Sequence, residues 1–183
     1  MIQAVLDKYA IDSPAATEAQ AAVLIVLRAV GAKLETLLIE RSVRAGDPAS
    51  GQIGLPGGRV DGHDDRLRDT ALRELTEEVG LGESDLTGPP RFISVEDAPR
   101  FGIRVGVFVA GLSETHRGPP VPSPDEVASI FWLPLDHLDS TRLVVRDTPA
   151  GAREVEAVLY GGHVLWGFTL RVLRQFRKEN PGS

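Results

Sequence analysis

The residues best suited to chemistry lie between Gly57 and Leu81, in the stretch GGRVDGHDDRLRDTALRELTEEVGL. Glu74, Glu77 and Glu78 stand at i, i+3 and i+4. On a helix these side chains share one face, within an arc of about 100°. Carboxylates held that close repel one another and cost stability unless positive charge sits among them. Arg73, four residues before Glu77, can pair with one of them and fix its direction, but one guanidinium cannot satisfy all three. The remaining charge suits a hard divalent cation: Mg²⁺ and Mn²⁺ prefer oxygen ligands, and Mg²⁺ keeps waters while bridging to phosphates. Gly57 and Gly58, just upstream, lack a Cβ, so their backbone can approach such an ion or a phosphate. A bare acidic run on a helix is most often a solvated face. The ordered context of strand, Gly-Gly turn, acidic cap, helix and terminal Gly-Leu favours a site instead.

The elements that must position these groups are legible from hydrophobic period. Residues 22–29 are nearly continuous Val, Ile and Leu, as in a strand buried on both faces. Gly31 starts a short turn, and Leu34–Arg41 reads as a second strand paired with the first. Residues 43–51 are loop by composition, and a short apolar stretch, Gln52–Leu55, precedes Pro56 and the two glycines. From Asp64 to Val79 the period becomes helical: Leu67, Ala71, Leu72, Leu75 and Val79 fall within an arc of about 140°. Asp64 or Asp65 is the expected N-cap and Gly80 the left-handed residue after the helix. Strands are expected at 91–95, 103–109 and 126–133, with weaker strand patterns at 142–146 and 155–160. An exposed, proline-rich loop is expected at 113–124. Residues 165–178 read as a closing helix, with Trp166, Thr169, Leu170, Leu173 and Phe176 inward and basic residues near its end. This is a mixed α/β (α+β) order in one domain spanning residues 1–183.

Composition narrows the rest. The chain has 183 residues, 42% apolar and 25% charged, which suits a soluble globular domain. Its net charge of −6 and lack of a basic cluster argue against general nucleic-acid binding. With no cysteine, a thiol nucleophile, a disulfide framework and Cys-ligated zinc are excluded. The four histidines lack zinc spacing, although His63 lies close enough to the acidic stretch to touch a phosphate. GQIGLPGG is not a Walker loop, since no Lys-Ser/Thr follows it. No apolar run is long enough to span a membrane and the first residues lack the pattern of a signal peptide, so a cytoplasmic location without membrane attachment is expected.

The stretch resembles the Nudix box, G-x5-E-x7-R-E-U-x-E-E-x-G-U, where U is aliphatic. Arg73, Glu74, Leu75, Glu77, Glu78, Gly80 and Leu81 match its second half without a gap, and Gly58 matches its first glycine, so the box spans 58–81. Two departures stand out: the interval from Gly58 to Arg73 is one residue longer than the pattern, and the first acid is Asp64 or Asp65 rather than Glu. The resemblance implies an α/β/α sandwich around a mixed β-sheet, and Mg²⁺- or Mn²⁺-dependent hydrolysis of a nucleoside diphosphate linked to another group. It further implies that Glu74, Glu77 and Glu78 are metal ligands with the Gly57 carbonyl as a fourth, and that Arg73 orients Glu74. The attacking water needs a general base, either a box glutamate or a loop acid, for which Glu126, and after it Asp125, is the candidate.

Three further pieces are similar to the coenzyme A-cleaving group of that family: residues 37–58, where Arg41, Ser42, Gly51, Gln52 and Pro56 match; DEVASIFWLPLDHL at 125–138; and WGFT at 166–169. Leu55 replaces the usual Phe, and Arg44 matches the basic position only loosely. The resemblance, from about residue 22 to 177, implies cleavage of coenzyme A or its thioesters to 3′,5′-ADP and a phosphopantetheine product. A site for the 3′-phosphate needs cations, for which Arg41, Arg44 and Arg59 lie near the box, with Gly58 as a further substrate contact. Phe101 or Trp132 offers a ring to an adenine, although Trp132 and Trp166 are read first as core. Within the class, ADP-ribose or NADH is the alternative substrate. Outside it stands a catalytically silent nucleotide-binding module, which typically has lost box glutamates. Many relatives pair, so a homodimer is compatible with the resemblance.

Overall fold

The computed structural model describes residues 1–46, 49–116, 118–148 and 151–181. Two positions of the expected 43–51 loop and Arg117 of the expected 113–124 loop lie outside the described residues. In chain order the elements are α1 (Ile2–Leu6), β1 (Ala21–Val30), β2 (Lys33–Arg41), β3 (Ile53–Gly54), β4 (Gly57–Arg59), α2 (Leu67–Val79), β5 (Arg91–Ala98), β6 (Ile103–Gly111), β7 (Val127–Pro134), β8 (Thr141–Thr148), β9 (Gly151–Tyr160), β10 (His163–Trp166) and α3 (Gly167–Glu179).

The main sheet is mixed. β1 pairs antiparallel with β2 and parallel with β6, β5 lies beyond β6, and β7 pairs with β2. Alternate residues of its central strands enter two separate cores. Leu24 and Val26 of β1, Leu37 and Ile39 of β2, and Phe108 and Ala110 of β6 pack with Leu67, Ala71, Leu75 and Val79 of α2. Ile25, Leu27, Leu38, Val107 and Val109 face the other way, onto Leu170, Leu173 and Phe176 of α3. This double burial explains why residues 22–29 carry no polar alternation. The result is the α/β/α sandwich around a mixed sheet that the resemblance implies.

The β1–β2 pairing is recorded from Val30↔Lys33 back to Leu27↔Thr36. Beyond that point a wedge enters between the two strands: β3 pairs with the end of β2, and β4 with the start of β1. The Pro56 carbonyl accepts from the Leu24 amide at 2.9 Å and the Gln52 carbonyl from the Arg41 amide at 3.0 Å, so the wedge is bonded on both sides. It delivers Gly57 and Gly58 to the edge of α2.

Two local expectations change, and two elements go beyond what the sequence led one to expect. The box helix starts at Leu67, not at an Asp64 or Asp65 cap: Asp69 reaches back to the Arg66 amide (2.9 Å), and the Pro14 carbonyl and Ser13 hydroxyl take the Leu67 and Arg68 amides. Asp64 is instead drawn to Arg73 and to the Thr70 hydroxyl. The closing helix starts at Gly167, because Leu165 and Trp166 are taken by the β9–β10 pairing. The weak patterns at 142–146 and 155–160 form a long hairpin, β8–β9, whose Leu143 and Val145 are both exposed. Finally, α1, which no sequence pattern announces, buries Val5 and Leu6 beside α3.

Leu75 is fully buried at the centre of the α2-side core. Truncation to Ala should cost about 2–5 kcal/mol, read as a lower urea midpoint at unchanged slope.

Candidate active site

The site forms where the β4 glycines meet α2 and the loop before β7. A Cβ on Gly58 would lie 2.4 Å from the Glu74 carboxyl carbon, and one on Gly57 would lie 2.3 Å from the Ala22 carbonyl oxygen. Backbone at Ala22 and Val23, together with a φ of +153°, therefore requires glycine at position 57, whereas a side chain at position 58 would displace the Glu74 carboxylate.

Glu78 is 1% exposed. Its Oε2 accepts from the Gly57 amide at 2.9 Å, and its Oε1 lies 3.4 Å from Arg41 Nη1. These two donors do not offset the cost of burying the charge. Burial, helped by the nearby Glu74 and Glu126 charges, pushes the Glu78 carboxyl up to about 8 against the pull of Gly57 and Arg41. Glu74 is raised too, by burial first and then by Glu77 and Glu126, while Arg73 draws it down.

Arg73 is the hub. Its Nη1 donates to Glu74 Oε1 (2.8 Å) and Glu77 Oε2 (3.1 Å), and its Nη2 to Asp64 Oδ2 (3.0 Å) and the Arg59 carbonyl (2.9 Å). The guanidinium is held firmly charged, chiefly by Asp64 and then by Glu74. Helical spacing pairs Arg73 with one box glutamate. It gives no hint of the Asp64 contact, because Asp64 lies before the helix and has the residue type of a cap.

Glu126 arrives from a different part of the chain. The β2–β7 pairing ends at Arg41↔Val127, and the Ser42 amide donates to the Glu126 carbonyl at 2.9 Å, which places Glu126 beside the end of β2. One carboxylate oxygen from each of Glu74, Glu78 and Glu126 can be chosen so that all lie within 4.8 Å of one another. Such convergence of hard oxygen donors fits one divalent cation. Glu77 lies outside that group, its side chain 52% exposed and tied to Arg73.

The other anticipated residues are spread around this centre. Arg41, Gly57, Gly58 and Arg59 line a cleft of about 780 Å³. Its floor is Ala21 and Val23 of β1 with Val105 of β6, on the α3 side of the sheet. Arg44 is not among its lining residues; its guanidinium donates to the Asp125 carbonyl and so braces the residue before Glu126. Phe101 and Trp166 line the cleft, whereas Trp132 packs in the α2-side core beneath the Arg28 guanidinium. His63 is exposed on the loop before α2. The remaining lining, including Arg100, Arg153, Phe168 and Arg171, is not evident from the sequence. These residues come from the β5–β6 turn, β9 and α3, and only WGFT carries a signal.

The NUDIX domain family matches residues 18–156. The chain is 37% identical over 138 residues to the peroxisomal coenzyme A diphosphatase ndx-8 of Caenorhabditis elegans, covering 73% of this chain and 56% of that protein. It thus spans little more than half the length of that relative. It is 36% identical over 179 residues to the mitochondrial coenzyme A diphosphatase NUDT8 of Homo sapiens, covering 92% of this chain and 72% of that protein. Neither name speaks for the cytoplasmic location expected above, and no helix among the described residues is long and apolar enough to cross a membrane. The NUDIX domain of Shewanella oneidensis NrtR, solved with ADP ribose, matches with a TM-score of 0.54 at 20% identity, over 87% of this chain and 86% of that one. At that identity the likeness shows the fold alone.

The raised Glu78 value sets a pH dependence. The folded chain keeps this proton up to about pH 8, while the unfolded chain releases it near 4.5. Folding therefore binds a proton in that window, and its contribution to stability falls as pH rises through it. In EDTA, Glu78→Gln should melt close to wild type at pH 5 and increasingly above it towards pH 8. A constant offset across the window in thermal melts would assign Glu78 a purely structural role.

Proposed function

This chain belongs to the Nudix family, and on that premise we propose that it hydrolyses the diphosphate of coenzyme A or its thioesters. The products are 3′,5′-ADP and phosphopantetheine or its acylated form. The observation that carries the reaction class is the convergence of Glu74, Glu78 and Glu126 beside Gly57, where no side chain fits, and Gly58, where one would displace Glu74. The names of two relatives support the choice of substrate. One domain spanning residues 1–183 is part of the same reading.

In this proposal Glu74, Glu77 and Glu78 hold Mg²⁺ or Mn²⁺, with the Gly57 carbonyl as a fourth ligand, and Glu126 stands beside them. When bound, the ion supplies Lewis-acid polarisation of the phosphoryl oxygens and a lowered pKa for its water. The rest falls to side chains. Arg73 holds Glu74 and Glu77 through the same nitrogen, so that their oxygens do not swing apart. Gly58 lets the diphosphate approach without a Cβ in the way. Arg41 and Arg59 border the cleft and meet the substrate's negative charge. Glu126 is the proposed proton acceptor for the attacking water, because it comes from a separate element and is braced through Arg44 and Asp125.

The test is direct. The protein is incubated with Mg²⁺ or Mn²⁺ and, separately, coenzyme A, ADP-ribose, NADH and a dinucleoside polyphosphate, and the products are resolved by chromatography. Selective release of 3′,5′-ADP is expected, and EDTA should abolish it. Glu126→Gln should lower kcat by about 10²-fold or more with KM nearly unchanged. Turnover of another substrate would keep the reaction class and discard coenzyme A. Metal binding without any turnover would favour a silent binding module.

A further inference from the structure

The proline-rich segment before β7 is bonded to the end of the box helix. Residues 119–124 read PPVPSP, so Val121 and Ser123 alone among them carry an amide hydrogen. Both amides are taken by α2. Val121 donates to the Val79 carbonyl and Ser123 to the Glu78 carbonyl, each at 2.9 Å. The last carbonyls of a helix have no partner within it, so this strap satisfies two that would otherwise be orphaned. The Val121 side chain is 67% exposed, so the residue serves here through its backbone and not through packing.

Ser123 also opens the turn that carries Glu126. Its carbonyl accepts from the Glu126 amide at 3.0 Å and from the Val127 amide at 2.8 Å. The backbone of one residue is thus bonded to the main chain of two glutamates, to Glu78 through its amide and to Glu126 through its carbonyl. The sheet alone does not fix where Glu126 sits. The β2–β7 register shifts between Glu40↔Ser129 and Arg41↔Val127, just before that residue. The prolines add stiffness: each fixes its own φ, and Pro122 and Pro124 hold Val121 and Ser123 in extended backbone. The strap therefore gives up little conformational freedom when it docks on α2.

We propose that the Val121–Ser123 strap is a positioning element. It ties Glu126 to the C-terminal turn of α2 and sets how closely its carboxylate approaches those of Glu74 and Glu78. Its effect on turnover rests on the reading of Glu126 as proton acceptor, whereas its effect on the carboxylate cluster does not. The strap acts through Glu126, by main-chain bonds that a substitution of its side chains leaves in place.

Ser123→Pro removes the amide that reaches Glu78, and Ser123→Ala keeps it. Pro122→Gly combined with Pro124→Gly keeps both amides and slackens the strap. With the full chain, Mg²⁺ and coenzyme A, Ser123→Pro and the paired glycine variant should each lower kcat roughly tenfold with KM nearly unchanged. Ser123→Ala should match the wild type. In a Glu126→Gln background the same changes should lower kcat no further, because the group they act through is already lost. An equal loss in both backgrounds overturns the proposal, as do wild-type rates in both strap variants. If Ser123→Pro fails to fold, the glycine pair decides. Calorimetric titration with Mn²⁺ alone gives a readout without turnover. Glu126→Gln and each strap variant should weaken Mn²⁺ about threefold or more, and combining them should weaken it no further. Weakening by the strap variants with Glu126→Gln unaffected overturns the proposal. The expected Mn²⁺ pattern without turnover of coenzyme A would support the strap and remove the hydrolysis reading.

Discussion

The arrangement of this molecule turns on a shortage of positive charge at one buried spot. Glu78 lies almost wholly inside the protein, within reach of Glu74 and Glu126, with one amide and a distant arginine as its polar partners. Burial of like charges is unfavourable unless a cation joins them or a proton neutralises one. Burial favours the proton on Glu78. The neighbourhood is what holds that unfavourable cluster in place. Arg73 neutralises the exposed side of the group, and the α2 core supplies the burial energy that keeps the helix from turning away.

The wedge is the second half of the same constraint. β1 and β2 have to separate for β3 and β4 to enter, and both strands keep their hydrogen bonds by pairing with the wedge rather than with each other. The separation is tolerable because both strands are anchored by residues on both faces. Only glycine fits where the wedge meets the start of β1, and a side chain one residue on would push the Glu74 carboxylate aside. The sheet topology and the glycine pair are therefore one requirement seen at two scales. The β2–β7 pairing completes it by carrying Glu126 to the same corner.

Much of this is legible in the order of the residues alone. The helical period of Leu67, Ala71, Leu75 and Val79 places α2 and sets three glutamates on one face, and Glu126 stands out as an acid at a strand start. Those signals are local, since a period or a spacing lies within one element. The cleft wall is not legible, because Arg100, Arg153 and Arg171 come from separate elements and look like ordinary surface arginines until the chain folds. The start of α2 is obscured for a related reason: Asp64 is a good cap by type, but its actual partner, Arg73, lies nine residues away. The β8–β9 hairpin is faint because Leu143 and Val145 point to solvent, which blurs the usual alternation. That Glu77 lies apart from the other box glutamates is hidden as well, since helical spacing fixes a face but not which oxygens converge.

The alternation along β1 and β6 also separates two histories. The carboxylates belong to the layer of α2, while the floor and far wall of the cleft belong to the layer of α3. The two layers share the sheet but not their side chains, and they meet through the short wedge. Substitutions in the α3 layer can therefore accumulate without disturbing the packing that holds the carboxylates. A lineage built on this plan can exchange one recognised molecule for another by altering one layer, while the bond it breaks is inherited unchanged in the other.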